Sequence, residues 1–191
     1  MNKKKNMNVI EAISTRRSVR SYTEELITQD KLEELIRLGT FAATGSNMQP
    51  WGFVIVQGKE RIAGYNEEVK AELLANLDKY PHLQQYQKGL ENPGFSVLNN
   101  ASNMILIYGS PESYYYKIDC TLAAANIMLA GREMGIESCW IGFGEYYFNS
   151  PGFKAAQNVP KEYDLVCVLT VGYPAKPVTQ GPTRKDPLIF K

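Results

Sequence analysis

One apolar helix near the middle of the chain most constrains how this sequence can fold. Residues 117–134, with the run DCTLAAANIMLAGREMG, have helical spacing and stop at Gly135. The Ala-rich face permits close packing, and the apolar circumference indicates deep burial. A membrane helix is excluded because Asp119, Arg132 and Glu133 interrupt the run. We therefore expect this helix in the core, covered by other elements.

Helical and strand patterns follow one another irregularly along the rest of the chain. Thr28 is predicted to cap a helix that ends near Thr44 and Gly45, and residues 60–78 return to helical spacing. Strands are predicted at PWGFVIVQG, NMILIYGS, SCWIGF and LVCVLTVG, and a short helix at 154–157. These connections form no regular βαβ series, which predicts an α+β fold with helices packed on a sheet.

The length of 191 residues favours one domain that spans residues 1–191. Within it, residues 79–96 form a polar and aromatic excursion that is expected to lie over a pocket. Residues 173–191 form a proline-rich arm without helical period, and Leu-Ile-Phe near its end favours wrapping over disorder.

Composition narrows the possible partners. Lysine plus arginine number 21 and aspartate plus glutamate 20, so no global field would hold the protein on nucleic acid or an anionic membrane. No run approaches the roughly 18 apolar residues that span a bilayer, and no apolar segment follows the charged start MNKKKN. The protein is expected to be soluble and cytoplasmic.

Neither the cysteines nor the histidine indicates a metal site. Cys120, Cys139 and Cys167 lie in apolar contexts without a C-x-x-C pair, so buried free thiols are expected. The single histidine, His82, lies in a polar stretch that predicts an exposed loop. If the chain is an enzyme, a cofactor is expected to carry the difficult chemical step.

The stretch TRRSVRSY, residues 15–22, places three arginines within five positions. A solvated surface or a small nucleic-acid patch is one explanation of such a cluster. If the stretch is extended, Arg16, Ser18 and Arg20 face one way and Arg17 faces the other. Two guanidinium groups beside a hydroxyl suit one small anion, such as a phosphate, better than a long polymer.

Two further segments carry groups that can bind a ligand. TGSNMQPWGF places a Gly-Ser-Asn turn directly before a strand, although an ordinary turn has the same composition. Thr183, Arg184 and Lys185 place charge on the arm, where a solvated basic tail is the simpler explanation.

Together these segments resemble the FMN-dependent nitroreductases. The shared motifs are RRSVR, S-N-x-Q-P-W at residues 46–51, GIESCWIG after the buried helix, and GYP…P.RK.P at residues 172–187. They occur in the family's order and cover nearly the whole chain. The resemblance implies a nitroreductase-like fold with a mostly antiparallel central sheet flanked by helices. It also implies an intertwined homodimer with an extended C-terminal arm and two tightly bound FMN molecules at the subunit interface.

The resemblance assigns the basic residues to the cofactor. Arg16, Ser18 and Arg184 would hold the FMN phosphate, and Arg17 the ribityl chain or the phosphate edge. Arg20 matches the family's cation near flavin N1 and the C2 carbonyl, where it would stabilise the negative charge of the reduced ring.

Two more groups of residues match the family's flavin contacts. Ile141 and Gly142 match backbone near flavin N5, where a side chain at Gly142 would block the approach of hydride. The segment that the partner subunit donates to the flavin corresponds to Thr44, Gly45, Asn47 and Gln49. Asn66 or Lys70 is a candidate for a second contact to the flavin pyrimidine.

The resemblance implies hydride transfer from NAD(P)H through flavin N5 to a nitroaromatic, quinone or related acceptor by a ping-pong mechanism. No catalytic side chain is predicted, because orientation and charge are what the protein supplies. Dehalogenation, ring oxidation or flavin breakdown remain alternatives, since acceptor choice lies in residues 79–96 and 143–150. A flavin-binding protein without turnover and a phosphate-backbone binder are two more. Tyr114, Tyr115, Tyr116 and Tyr147 fit either an acceptor pocket or the dimer interface.

Overall fold

A four-stranded antiparallel sheet with the strand order β1-β2-β4-β3 organises the structure, a computed structural model that describes residues 7–178 and 181–190. The strands are β1 Trp51–Gln57, β2 Asn103–Gly109, β3 Glu137–Ile141 and β4 Asp164–Gly172. The helices are α1 Val9–Thr15, α2 Gln29–Gly39, α3 Lys59–Ala75, α4 Gln87–Leu90, α5 Tyr116–Glu133, α6 Glu145–Phe148 and α7 Pro151–Ala156. Short 3-10 turns lie at Gly45–Asn47, Leu77–Lys79 and Pro81–Tyr86. The predicted α+β class and the predicted antiparallel sheet are confirmed.

Side-chain alternation along the strands divides the core into two layers. On β2, Ile105 and Ile107 pack toward α2 and α5, whereas Met104, Leu106 and Tyr108 pack toward α3, α6 and α7. Full burial of one such aliphatic side chain contributes about 1.5–3 kcal/mol. The sheet is therefore covered by helices on both faces.

The predicted helix is confirmed as α5, but the predicted burial on all sides is wrong, because one face of α5 is exposed. Cys120, Ala124 and Ile127 of α5 contact the sheet core, while Ile118 and Leu122 stay exposed. Among the residues that the structure describes, no helix has the length and apolarity to cross a membrane. The three cysteines are buried free thiols, as predicted.

The predicted end of α2 near Thr44 and Gly45 is wrong, because α2 ends at Gly39. An added Cβ at Gly39 would lie 2.7 Å from Ile127 Cγ1, so α2 and α5 approach too closely there for any side chain. Thr40 then closes the helix with its Oγ1, which donates to the Arg37 carbonyl at 2.8 Å. Between α2 and β1 the chain forms a turn at Thr40 and Phe41, a bend at Ala42 and the 3-10 turn Gly45–Asn47.

The other boundaries differ by small amounts. The helix expected at 154–157 begins earlier, at Pro151, where the Ser150 hydroxyl caps it by accepting from Phe153 N. The sequence did not predict α6, which spans only four residues. The polar excursion 79–96 forms short helical turns that bury Leu83 and Leu90.

Candidate functional site

The arginine segment runs beside the edge strand β3, where the arm leaves β4. Val19 N donates to the Ser138 carbonyl at 3.0 Å, and Ser18 and Ser138 form an isolated bridge. Further along, Ala175 N donates to the Ser21 carbonyl at 3.0 Å. The segment is thus fixed to the sheet and to the arm without becoming a regular strand.

A cleft of about 440 Å³ opens between this segment and the arm. Its walls are Arg17, Ser18, Val19, Arg20 and Ser21 on one side and Lys176, Pro177, Val178, Gly181 and Pro182 on the other. Five consecutive residues, Arg17 to Ser21, contribute to this lining, and Arg16 does not. Ser18 and Arg20 are exposed while Arg17 and Val19 are half-buried, so exposure alternates along this part of the segment. Every ionisable side chain of this lining is cationic, which suits an anion.

Two buried polar atoms beside this cleft have no partner among the described residues. Arg17 Nη1 donates to the Ser14 carbonyl at 2.9 Å and the Arg16 carbonyl at 2.7 Å. Arg17 Nε and Ser138 Oγ make no hydrogen bond within the described part of the chain. Buried donors are normally paired, so unpaired ones beside a cationic cleft fit an anionic ligand.

A buried ion pair supports the start of the arginine segment. Arg132 at the end of α5 pairs with Glu137 at the start of β3, and Arg132 Nε donates to Thr15 Oγ1 at 3.1 Å. Burial raises the pKa of Glu137, while the charges of Arg132 and Arg16 oppose that rise. The pair therefore holds together α1, α5 and β3 where Arg16 begins.

The loop of residues 44–49 lies against the beginning of α5. Its backbone is left-handed at Ser46, Asn47 and Gln49, with φ of 50°, 55° and 47°. Each such non-glycine residue costs about 1–3 kcal/mol, and strain of this kind collects at functional sites. Gln49 Nε2 donates to Asn47 Oδ1 at 3.0 Å, and both side chains are exposed. Two predicted amide groups are therefore presented together to the outside.

The second cleft, of about 320 Å³, lies where β3 ends. Its lining comprises Lys117, Thr121, Trp140, Ile141, Gly142, Glu145 and Leu165–Val168. A Cβ added at Gly142 would meet no atom within 4 Å, so a side chain there would project into open space. Ile141 is buried and supports this wall from behind.

The predicted site residues thus fall into separate groups within one chain. The cationic cleft contains Arg17, Ser18 and Arg20, and the cleft at the end of β3 contains Ile141 and Gly142. Arg16 is half-buried beside the first cleft. Thr44, Gly45, Asn47 and Gln49 lie in neither lining, and Arg184 is exposed on the arm.

Lys176 was not predicted as a site residue, but it lines the cationic cleft together with Arg17 and Arg20. The residues around Lys176 carry no sequence signal that the arm returns to the arginine segment. Lys117 and Glu145 of the second cleft were also missed.

The two candidates for a second pyrimidine contact are buried on α3. Lys70 Nζ donates to the Asn92 carbonyl at 3.0 Å, and Asn66 Oδ1 accepts from Ser96 Oγ at 3.1 Å. Both residues therefore anchor the end of the excursion.

Aromatic contacts join the excursion to the segment that follows Gly142. The rings of Tyr80 and Tyr146 stack with centroids 3.7 Å apart, and Tyr86 meets Phe143 edge to face at 5.2 Å. The excursion therefore packs beside the second cleft.

The four tyrosines that fit either an acceptor pocket or a dimer interface differ in exposure and in their contacts. Tyr114 and Tyr115 are exposed, whereas Tyr116 donates to Asp164 Oδ2 at 2.7 Å. Tyr147 bonds to Glu68. Neither an acceptor nor a second subunit is needed to explain the last two contacts.

The fold and these clefts define the class of protein. The sequence profile of the Nitroreductase family matches residues 13–173, and the chain belongs to this family. A nitroreductase from Bacteroides fragilis, solved with bound FMN, superimposes with a TM-score of 0.77 at 24% identity. That superposition covers 95% of this chain and 94% of the other and shows the shared fold.

Two curated relatives are named for flavin reactions. An iodotyrosine deiodinase of Thermotoga neapolitana is 26% identical, with 87% of this chain and 89% of that protein covered. An FMN reductase (NADPH) of Bacillus subtilis is 28% identical, with 71% of this chain and 54% of that protein covered.

Proposed function

We propose that this protein is an FMN-dependent oxidoreductase that uses NAD(P)H to reduce nitroaromatic, quinone or related acceptors. The observation that carries the proposal is the cationic cleft in a chain of the Nitroreductase family, together with a buried Arg17 Nε that has no hydrogen-bond partner among the described residues. The cleft offers guanidinium and hydroxyl groups of the kind that bind a phosphate. The residues present therefore fit FMN.

Each group of residues has a role in this proposal. Arg16, Arg17 and Ser18 hold the phosphate end, with Arg184 closing over it from the arm. Arg20 stands toward the ring, where its fixed charge stabilises the reduced form. Lys176 adds a cation to the same cleft.

Bound FMN would supply the redox chemistry, accepting hydride at N5 from NAD(P)H and delivering it to an acceptor in a separate, ping-pong half-reaction. Gly142 keeps the wall beside the ring free of a side chain, since its Cβ position faces open space. The edge-to-face contact between Tyr86 and Phe143 supports a role for the excursion in bounding the acceptor's space. Acceptor choice then depends on residues 79–96 and 143–150.

The proposal includes a homodimer. Exposed apolar side chains mark interaction surfaces, and here they lie on α1, just after α2, on α5 and on the arm. They are Val9, Ile10, Ile13, Phe41, Ile118, Leu122, Leu188, Ile189 and Phe190. A second copy covering these faces would bring the partner's loop 44–49 to the cofactor, which accounts for the separation of the site groups within one chain. The proposal also includes a single domain over residues 1–191. It further includes a cytoplasmic location, where NAD(P)H is supplied.

The test begins with the colour of the purified protein. We expect the visible absorbance of bound flavin, either as purified or after addition of FMN, and oxidation of NADH or NADPH when nitrobenzoate or a quinone is present. A colourless protein that takes up no FMN overturns the proposal. Flavin uptake without any NAD(P)H oxidation would instead favour a flavin carrier without turnover.

Reductive dehalogenation is a second candidate, favoured by the similarity to the deiodinase of Thermotoga neapolitana. It would use the same cofactor site with an iodinated phenol as the acceptor. Release of iodide from 3-iodotyrosine by the dithionite-reduced protein, faster than reduction of a nitroaromatic, would establish it.

A further inference from the structure

Asp119 places a buried carboxylate against the base of the loop 44–49. The residue is 3% exposed, and its Oδ1 and Oδ2 accept from Gly45 N at 3.2 and 3.3 Å. Asp119 belongs to the first turn of α5, and its own N donates to the Tyr115 carbonyl at 2.9 Å. A long helix packed in the core thus fixes the position of the carboxylate.

The loop needs a fixed base because its backbone is strained. Ser46, Asn47 and Gln49 hold left-handed conformations while their side chains are exposed, so burial of the loop does not enforce them. Gly45 fills the gap between Asp119 and Tyr115, and a Cβ there would lie 2.6 Å from Tyr115 Cδ2. The carboxylate and the ring therefore hold Gly45 in place between them.

The buried carboxylate of Asp119 is compensated by the hydrogen bond from Gly45 N and not by an ion pair. Within the described residues, no lysine or arginine forms an ion pair with it. A buried carboxylate without a cation is unfavourable unless hydrogen bonds compensate, and a bond from N–H to a charged acceptor is stronger than one to a neutral acceptor. The N-terminal end of α5 further stabilises the negative charge.

We propose that Asp119 is a positioning residue for the cofactor. By holding Gly45, it sets where the loop begins, and so where the bonded amides of Asn47 and Gln49 meet the flavin edge. This inference rests on the proposed function, since it takes the loop to be a flavin contact.

The experiment compares Asp119→Ala and Asp119→Asn with Tyr108→Phe as the control. Tyr108→Phe also removes one buried hydrogen bond, from Tyr108 OH to the Phe148 carbonyl at 2.7 Å, but in the other core layer. Amide hydrogen exchange of the cofactor-free protein should rise about tenfold at residues 44–49 in Asp119→Ala. Asp119→Asn keeps a neutral acceptor in place of the charged one, so its rise should be clearly smaller than that of Asp119→Ala. Tyr108→Phe should leave this segment unchanged.

Flavin binding supplies the second measurement. Asp119→Ala should raise the FMN dissociation constant about tenfold and change the visible circular dichroism of the bound flavin, with both effects partly rescued in Asp119→Asn. Unchanged exchange at 44–49, equal effects in Tyr108→Phe, or no rescue by asparagine would overturn the inference while FMN binding by the wild type stands. A wild type that binds no FMN would overturn the proposed function, and with it the role of Asp119 toward the flavin.

Discussion

Arg132 and Glu137 form an ion pair across the turn between α5 and β3, with side-chain exposures of only 14% and 4%. Removal of one partner leaves the other charge buried and unpaired, whereas removal of both avoids that penalty. Arg132 also binds the end of α1, because its Nε donates to Thr15 Oγ1. The ion pair therefore helps to fix the position of the arginine segment, which follows Thr15.

We expect Arg132→Met alone to lower the free energy of unfolding by about 3–5 kcal/mol. The double variant Arg132→Met/Glu137→Leu should be clearly more stable than the single variant, because no charge is left alone. Urea unfolding of four proteins, the wild type, Arg132→Met, Glu137→Leu and the double variant, measures this. A double variant as unstable as the sum of both single variants would show that the two charges are not coupled.

Buried Cys120 should make stability fall at alkaline pH. Burial first, and the charge of Asp119 second, raise the pKa of the Cys120 thiol from 9.0 to about 12. The unfolded chain then loses this proton at lower pH than the folded protein. The contribution of the protonated Cys120 thiol to the free energy of unfolding is complete below pH 9 and is lost as the pH rises toward 12.

In Cys120→Ala, the decline of unfolding free energy above pH 9 should be shallower by up to about 1.4 kcal/mol per pH unit. Urea midpoints between pH 8 and 11 test this, with buried Ser113→Ala as a control that removes no ionisable group. Parallel curves for the wild type and Cys120→Ala would contradict the expectation.

Elements whose burial is uniform or periodic could be predicted from the sequence. NMILIYGS becomes β2, which is buried throughout, and the apolar run becomes α5. The end of α2 could not be predicted, because it depends on contact between Gly39 and Ile127, which are distant in sequence. Local composition, with Ala42 and Ala43 following, favours a longer helix.

The site was predictable where its residues are neighbours in the chain and not where they meet through folding. Arg17, Ser18 and Arg20 form a visible cluster, but the opposing Lys176 enters only because the arm returns beside them. Asp119 in sequence is only a polar interruption of an apolar helix. Its contact with Gly45 exists only in the folded chain.

Gly142→Ala should reduce turnover without loss of stability. A Cβ at this position meets no atom of the chain within 4 Å, so the methyl group occupies cleft space without a clash. We expect kcat/KM for the acceptor to fall about tenfold or more, since a small displacement of the reacting groups has large effects. Gly152→Ala, which also meets nothing within 4 Å, is the matched control. Unchanged kinetics in Gly142→Ala would remove this residue from the cofactor wall.

The apolar end of the arm should hold two copies together. Ile189 and Phe190 are 75% and 89% exposed in a single chain, which is unfavourable in water. Replacing Leu188, Ile189 and Phe190 by aspartate should shift the protein from dimer to monomer in sedimentation velocity and weaken FMN retention. Aspartate at the exposed Gln85 should change neither. A wild type that sediments as a monomer would contradict the interface.

Arg16 and Arg20 should affect different properties of the flavin. Arg16, half-buried beside Glu137 and the cleft, is assigned to the phosphate, so Arg16→Ala should raise the FMN dissociation constant about tenfold or more while the potential hardly moves. Arg20 lines the cleft and is assigned to the ring, so Arg20→Ala should lower the two-electron midpoint potential by about 30 mV with a smaller loss of affinity. Riboflavin provides the control, because it lacks the phosphate: Arg16→Ala should leave its affinity unchanged. If both variants alter affinity and potential equally, the division of roles along the segment is wrong, although a flavin would still bind there.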